Sequence, residues 1–152
     1  GNAQNALKLG GALAANFPQV SSGTWIPTLY GTTTAGSPAF ESRGGAWIKI
    51  GKIIFICAQF KMTNKGGMAG NIVMGGLPFA PTYGAGVFVF NTVSGFNIPQ
   101  GFVSYHGVPN PDGILLSYFS TTGSQTITDT MLADDFILWD QSFGIYRIEE
   151  TS

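Results

Sequence analysis

Eight carboxylates, one histidine and one cysteine are the groups from which a catalytic or metal site would first be built in this chain of 152 residues. Glycoside hydrolysis needs two carboxyl groups facing each other across the scissile bond. The closest grouping, Asp134, Asp135 and Asp140, has the spacing of loop neighbours that face water. Calcium needs several oxygen ligands at defined intervals, and Asp129 followed by Asp134-Asp135 does not supply them. One histidine and one cysteine cannot assemble a zinc site. No nucleophile elbow of the G-x-S-x-G kind occurs. The glycine-rich stretch Asn64–Gly70 lacks the order of a phosphate-binding loop and precedes no helix. Cys57, inside Ile54-Phe55-Ile56-Cys57-Ala58, reads as a buried apolar thiol. His106, beside Gly107, reads as a solvated loop residue and is the only side chain that ordinarily titrates near neutrality. No catalytic residue, metal or cofactor is expected.

Aromatic residues, at 13%, are the richer signal. Sugar rings stack their C–H faces on Trp and Tyr while Asn, Asp and Gln take the hydroxyls, so a loop mixing the two types suits a glycan. Tyr105-His106 with Asn110 and Asp112 is one such stretch, Trp139-Asp140-Gln141 is a second, and Tyr83 is a third candidate. For each, the competing reading is an aromatic packed in the core or at a subunit contact.

The elements that must position these residues are strands. Ile54, Ile56, Ala58, Phe60 and Met62 alternate with Ile53, Phe55, Cys57, Gln59 and Lys61. Period two places the sets on opposite faces of one strand, Ile53–Thr63. The first set is apolar throughout and faces a core; the second is apolar for half its length, as in a strand at a subunit contact or under a loop. Gly51-Lys52 turns into this strand from Ala46–Ile50, and Ala39–Arg43 lies across Gly44-Gly45. Further strands are expected at Trp25–Tyr30, Asn71–Met74, Gly84–Val93 (with Val87–Phe90 buried), Gly101–Tyr105, Gly113–Phe119, Thr126–Thr128, Phe136–Trp139 and Ser142–Ile148. Pro18–Gly23 reads as a hinge, Gly95–Gln100 and His106–Asp112 as loops, and Met131–Asp135 as a helical turn. Roughly ten strands with turns every eight to twelve residues predict an all-β, antiparallel sandwich of jelly-roll type. Residues 3–17, rich in Ala and Leu, could form short helical turns packed on something else, or a disordered end. The division is a linker over 1–22 and a sandwich over 23–152.

Only 10% of the residues are charged, against an ordinary share of about 25%. A chain so poor in charge exposes neutral polar groups or hides surface in an oligomer. The net charge of −1, with scattered basic residues, argues against nucleic acid. No apolar run approaches the length of a membrane span, and no signal peptide is visible. A chain beginning at Gly1 reads as a piece of something longer.

Three landmarks then occur in order: Gly23-Thr24-Trp25-Ile26-Pro27-Thr28, Lys49-Ile50-Gly51-Lys52 entering the apolar strand, and Gly76-Leu77-Pro78-Phe79. Together they resemble the C-terminal head domains of bacteriophage tail fibres and tailspikes. Residues 3–17 resemble the linker that precedes such heads, and Ser142–Ile148 resembles their closing strand. The resemblance implies a homotrimeric sandwich at the tip of a virion fibre, joined to the rest of the fibre and binding a host surface glycan such as lipopolysaccharide or capsule. It carries over no site residues. A purely structural trimer cap, the fibre of a phage-tail-like bacteriocin and a polysaccharide-degrading tailspike are the competing readings. The last ordinarily keeps its chemistry on a long β-helix that is absent from this sequence.

Overall fold

The computed structural model describes residues 8–9, 12–13, 17–90, 93–97 and 102–149; the side chains of 8–9, 12–13, 93, 102–105 and 139–141 lie outside that description. Within 3–17 the described pieces, β1 (Lys8–Leu9) and β2 (Ala12–Leu13), pair antiparallel instead of forming helical turns. The intervening Gly10-Gly11 leaves segments too short to nucleate a helix.

The remaining strands are β3 (Val20–Trp25), β4 (Thr28–Gly31), β5 (Ala39–Ile50), β6 (Ile53–Asn64), β7 (Ile72–Gly75), β8 (Gly86–Val89), β9 (Val93–Phe96), β10 (Phe102–Asn110), β11 (Gly113–Ser120), β12 (Gly123–Thr126) and β13 (Leu132–Arg147). They form one antiparallel, 11-stranded sheet in the order β3-β5-β6-β13-β8-β10-β11-β7-β4, with β9 on β13 and β12 on β11. The two end strands of that path, β3 and β4, are consecutive in the chain and separated by Ile26-Pro27 alone. A link so short brings the ends together, so the sheet must roll up into two facing layers. The result is the expected all-β sandwich.

The inner faces share one core. Ile54, Ile56, Ala58, Phe60 and Met62 of β6 are each 3% exposed or less, as the alternation predicts. They join Leu29, Met74, Ile114, Leu116, Phe88 and Phe136 in a single cluster. Two polar clasps lie across it. The Trp25 indole N–H donates to the Cys57 carbonyl at 3.0 Å. The Tyr146 hydroxyl donates to the Phe79 carbonyl at 3.0 Å, tying the Gly76–Phe79 turn to β13. Burial pushes the Tyr146 hydroxyl well above its ordinary range, so it remains a donor.

Several strands run longer than the sequence predicts. Pro18–Gly23, read as a hinge, largely enters β3, which is held by β5 from Val20↔Ile50 to Trp25↔Gly45. The segment expected as Trp25–Tyr30 is divided by Ile26-Pro27 between β3 and β4. β5 continues through Gly44-Gly45 because Gly45 makes room for the indole: a Cβ there would collide with the Trp25 ring and the Cys57 carbonyl. β10 continues through His106 and Pro109 to Asn110, so no loop begins at His106. Pro109 is tolerated because its carbonyl accepts from Gly84 N–H at 2.8 Å. Its missing N–H points to that same side, where no ladder requires it. β13 is one strand with a register shift between Leu138 and Ser142 rather than two. The helical turn is a 3-10 turn at Asp129–Met131, earlier than expected. β8 is buried on one face only: Phe88 is fully buried while Val87 and Val89 are exposed.

Replacing Trp25 by Phe keeps an aromatic ring and removes the indole N–H bond to the Cys57 carbonyl, for an expected loss of about 0.5–1.5 kcal/mol. Gly45→Val should cost more, because it evicts the ring. Denaturant unfolding checks both, and a Trp25→Phe midpoint equal to the native one would remove this clasp from the account.

Candidate functional site

The sheet's outer surface divides into two regions of opposite chemistry. On the β4–β7–β11 side, alternation sends Leu29, Met74 and Ile114 inward and Tyr30, Val73 and Leu115 to the other face, where Tyr30 and Leu115 are half-buried and Val73 is covered, at 3% exposed. Register aligns Tyr30 with Val73 and Val73 with Leu115, so the three form a continuous strip across the strands. An open cleft of about 720 Å³ lies over this strip, and Thr32, Asn71, Asn110 and Asp112 also line it.

Hydrogen bonds fix the shape of the cleft. The Tyr30 hydroxyl donates to the Asp112 carbonyl at 2.9 Å. Asp112 N–H donates to Asn110 Oδ1 at 3.0 Å, closing the β10–β11 turn. Asn71 N–H donates to Thr32 Oγ1 at 3.0 Å. Partial burial, and then the Asp112 carboxylate nearby, push the Tyr30 hydroxyl above its ordinary range.

The expected glycan-contact residues fare unequally. Asn110 and Asp112 come together in the cleft. Tyr83 is 75% exposed. The adjoining Gly84 is bonded to Pro109, so Tyr83 sits at the same end of the sandwich without lining the cleft. The backbone of Tyr105 lies in β10 opposite Tyr118, and Trp139 and Asp140 lie in β13 at its register shift. The side chains of these three residues lie outside the described residues. Tyr30, Thr32 and Asn71 were not singled out by sequence. The alternation of Thr28-Leu29-Tyr30 announces an outward Tyr, but nothing local joins residue 30 to residue 112.

His106 is not the solvated residue its sequence context suggests. It is only 9% exposed. Its ring stacks on Phe119 with centroids 4.1 Å apart and planes 17° from parallel. Nε2 lies 3.1 Å from Ser124 Oγ, and Nδ1 has no hydrogen-bond partner among the described residues. Strand β10, running on to Asn110, carries His106 under Phe119, and burial lowers the imidazole pKa.

The second outer region is apolar. Successive registers place Ile48, Phe55, Ile145 and Val87 in one row across β5, β6, β13 and β8. Ala46, Cys57, Phe143 and Val89 form the next row. Phe143 is 58% exposed and Ile48 47%. A shallow depression of about 250 Å³ lies among these side chains. Cys57 is therefore half-buried on the outward face, not enclosed in the core, because period two sets it opposite Ile56 and Ala58.

Among the described residues, no group of three or more His, Cys, Asp or Glu could hold a metal ion, and no helix is long and apolar enough to cross a membrane. Several carboxylates brace loops. Asp134 accepts from Lys65 N–H at 2.9 Å and Asp129 from Gly70 N–H at 2.9 Å. Glu41 pairs with Lys61 at 2.6 Å on the exposed surface.

No protein-family model and no curated protein matches the chain. Among solved structures, the crystal structure of the Dettilon tailspike protein superposes with a TM-score of 0.67 at 16% identity. The match covers 84% of this chain and 24% of that one, so the chain spans about a quarter of the tailspike's length. The likeness is one of fold.

The lowered pKa of His106 fixes the sign of a pH effect. Above the ordinary imidazole value of about 6.5, both folded and unfolded states hold it neutral and its contribution is complete. As pH falls below that value, the unfolded chain takes up a proton that the fold resists, and stability declines until the lower folded pKa is passed. The melting temperature should therefore fall between pH 7 and pH 5, and His106→Gln should flatten that part of the profile. Identical slopes in the two proteins would contradict it.

Proposed function

We propose that the chain is a head domain of a phage tail fibre or tailspike that trimerises and attaches the virion to a host surface carbohydrate without cleaving it. In this reading it works at the tip, continuous with the rest of the fibre, and residues 1–22 lead into the head at 23–152. The carrying observation is the sandwich fold, shared with part of a tailspike and bearing a continuous apolar outer face.

The physical case for self-association is direct. Eight mostly apolar positions lie side by side on the sheet, and the adjoining outward row adds Val20, Ile50 and Ile53 before Arg147, while Ser22 and Gln59 are polar neighbours at other borders. Contiguous exposed apolar surface favours burial, at about 25 cal/mol per Å² removed from water. With one charged residue in ten, the chain has little repulsion to keep copies apart. The case for adhesion rather than hydrolysis rests on Asp129, Asp134 and Glu41, whose carboxylates support loops and strands in place of facing each other. The cleft offers amides, a phenol and the carboxylate of Asp112 without a facing acid among the described lining residues, whereas glycoside hydrolysis needs a facing pair.

Light scattering behind size exclusion is expected to give a mass near three times 16.0 kDa. Phe143→Asp, which places a charge in the middle of the apolar face, should give the single-chain mass with the far-UV spectrum retained. A native monomer at all concentrations would overturn the trimer. A trimer that binds no polysaccharide would leave a structural cap.

A further inference from the structure

The cleft over Tyr30, Val73 and Leu115 permits a more specific statement, resting on the reading that this domain adheres to a carbohydrate. We propose that this cleft is the carbohydrate site, and that it takes neutral or amino sugars and rejects acidic ones.

The floor suits the apolar face of a pyranose. The Tyr30 ring and the Leu115 side chain flank Val73 on three adjacent strands; Val73 itself is only 3% exposed, so Tyr30 and Leu115 supply the open π and C–H surface. The Tyr30 ring cannot swing away freely, because its hydroxyl is bound to the Asp112 carbonyl. A stacking platform held in place loses less freedom on binding.

The rim suits hydroxyls, which both donate and accept. Asn110 Oδ1 is occupied by Asp112 N–H, leaving its amide NH₂ as a donor. Thr32 Oγ1 accepts from Asn71 N–H, leaving the hydroxyl proton to donate. The Asn71 side chain supplies another donor–acceptor pair, and the Asp112 carboxylate accepts. Sugar hydroxyls satisfy such a mixed set.

The charge of the cleft decides the class. Among the described residues, Asp112 is the only carboxylic acid lining it, and neither Lys nor Arg lines it. A uronic or sialic carboxylate would meet Asp112 with no cation to offset the repulsion, whereas a hydroxyl or ammonium group would be accepted there. The Tyr30 hydroxyl is bonded to the Asp112 backbone carbonyl, so the charged residue lies beside the platform.

The test is binding of the intact chain to immobilised bacterial O-polysaccharides and capsular polysaccharides with neutral, amino-sugar and uronic-acid repeats. The native chain should retain neutral or amino-sugar polymers at least tenfold more tightly than acidic ones. Tyr30→Ala and Asn71→Ala should each weaken binding about tenfold or more, with native mass and melting confirming the fold. Should Tyr30→Ala unfold, Leu115→Trp fills the cleft from an outward position and should block binding equally. Asp112→Asn keeps the backbone bonds and should narrow the discrimination against acidic polymers. Binding untouched by the Asn71 and Leu115 variants would put the sugar elsewhere and overturn this inference while adhesion stands. Preference for acidic polymers would overturn its charge rule. Retention of no polysaccharide by the native chain would overturn both this inference and the adhesion reading.

Discussion

The pairing of β6 with β13 is the interaction on which the rest of this structure depends. Register runs from Arg147↔Ile53 to Ile137↔Lys61, with one shift. These two strands therefore hold β3 and β5 on one side and β8 and β9 on the other. Their inner faces supply Ile54, Ile56, Phe60, Phe136, Leu138 and Tyr146 to the core. Their outer faces supply Phe55, Cys57, Phe143 and Ile145 to the exposed apolar rows. One ladder thus stabilises the fold and builds the surface for which a second copy is the proposed cover.

The rest follows from rolling that sheet. Ile26-Pro27 passes the chain from one end of the strand path to the other, and Gly107 opposite Phe88 is the register pair by which β8 meets β10 among the described residues. A Cβ at Gly107 would collide with the Phe88 and Ile114 side chains, so glycine lets β10 sit tightly between β8 and β11 there. Rolling separates the two outer regions: apolar rows over β5–β6–β13–β8, and a cleft with an apolar floor and a polar rim over β4–β7–β11. A domain that assembles by one region and keeps the other in solvent needs this separation, since a glycan site carried by the assembling strands would be covered on assembly.

What was legible in the sequence depended on the range of the physics involved. Period-two alternation is local, and it placed every inner residue of β6 and made the outward half-apolar face visible. The sandwich class followed from strand spacing. Strand continuity was less legible: Gly44-Gly45 and Pro109 look like breaks, and only the partners across the sheet, Trp25 and Gly84, show why each lies inside a strand. The solvated His106 was wrong for the same reason, since Phe119 and Ser124 arrive from β11 and β12. Of the cleft, Asn110 and Asp112 could be found from one turn. Tyr30 and Asn71 could not, because their contribution comes from pairings across tens of residues.

The account's central claim is that the apolar face is covered by other copies of the chain, and Cys57 in the second row is its natural reporter. The most direct measurement is the rate at which a small thiol reagent modifies this single cysteine in the native chain and in Phe143→Asp. Strong protection in the native protein, relieved in the variant while both remain folded, is the predicted result. Equal and rapid modification in both would mean that the face is open to water, and would contradict the account.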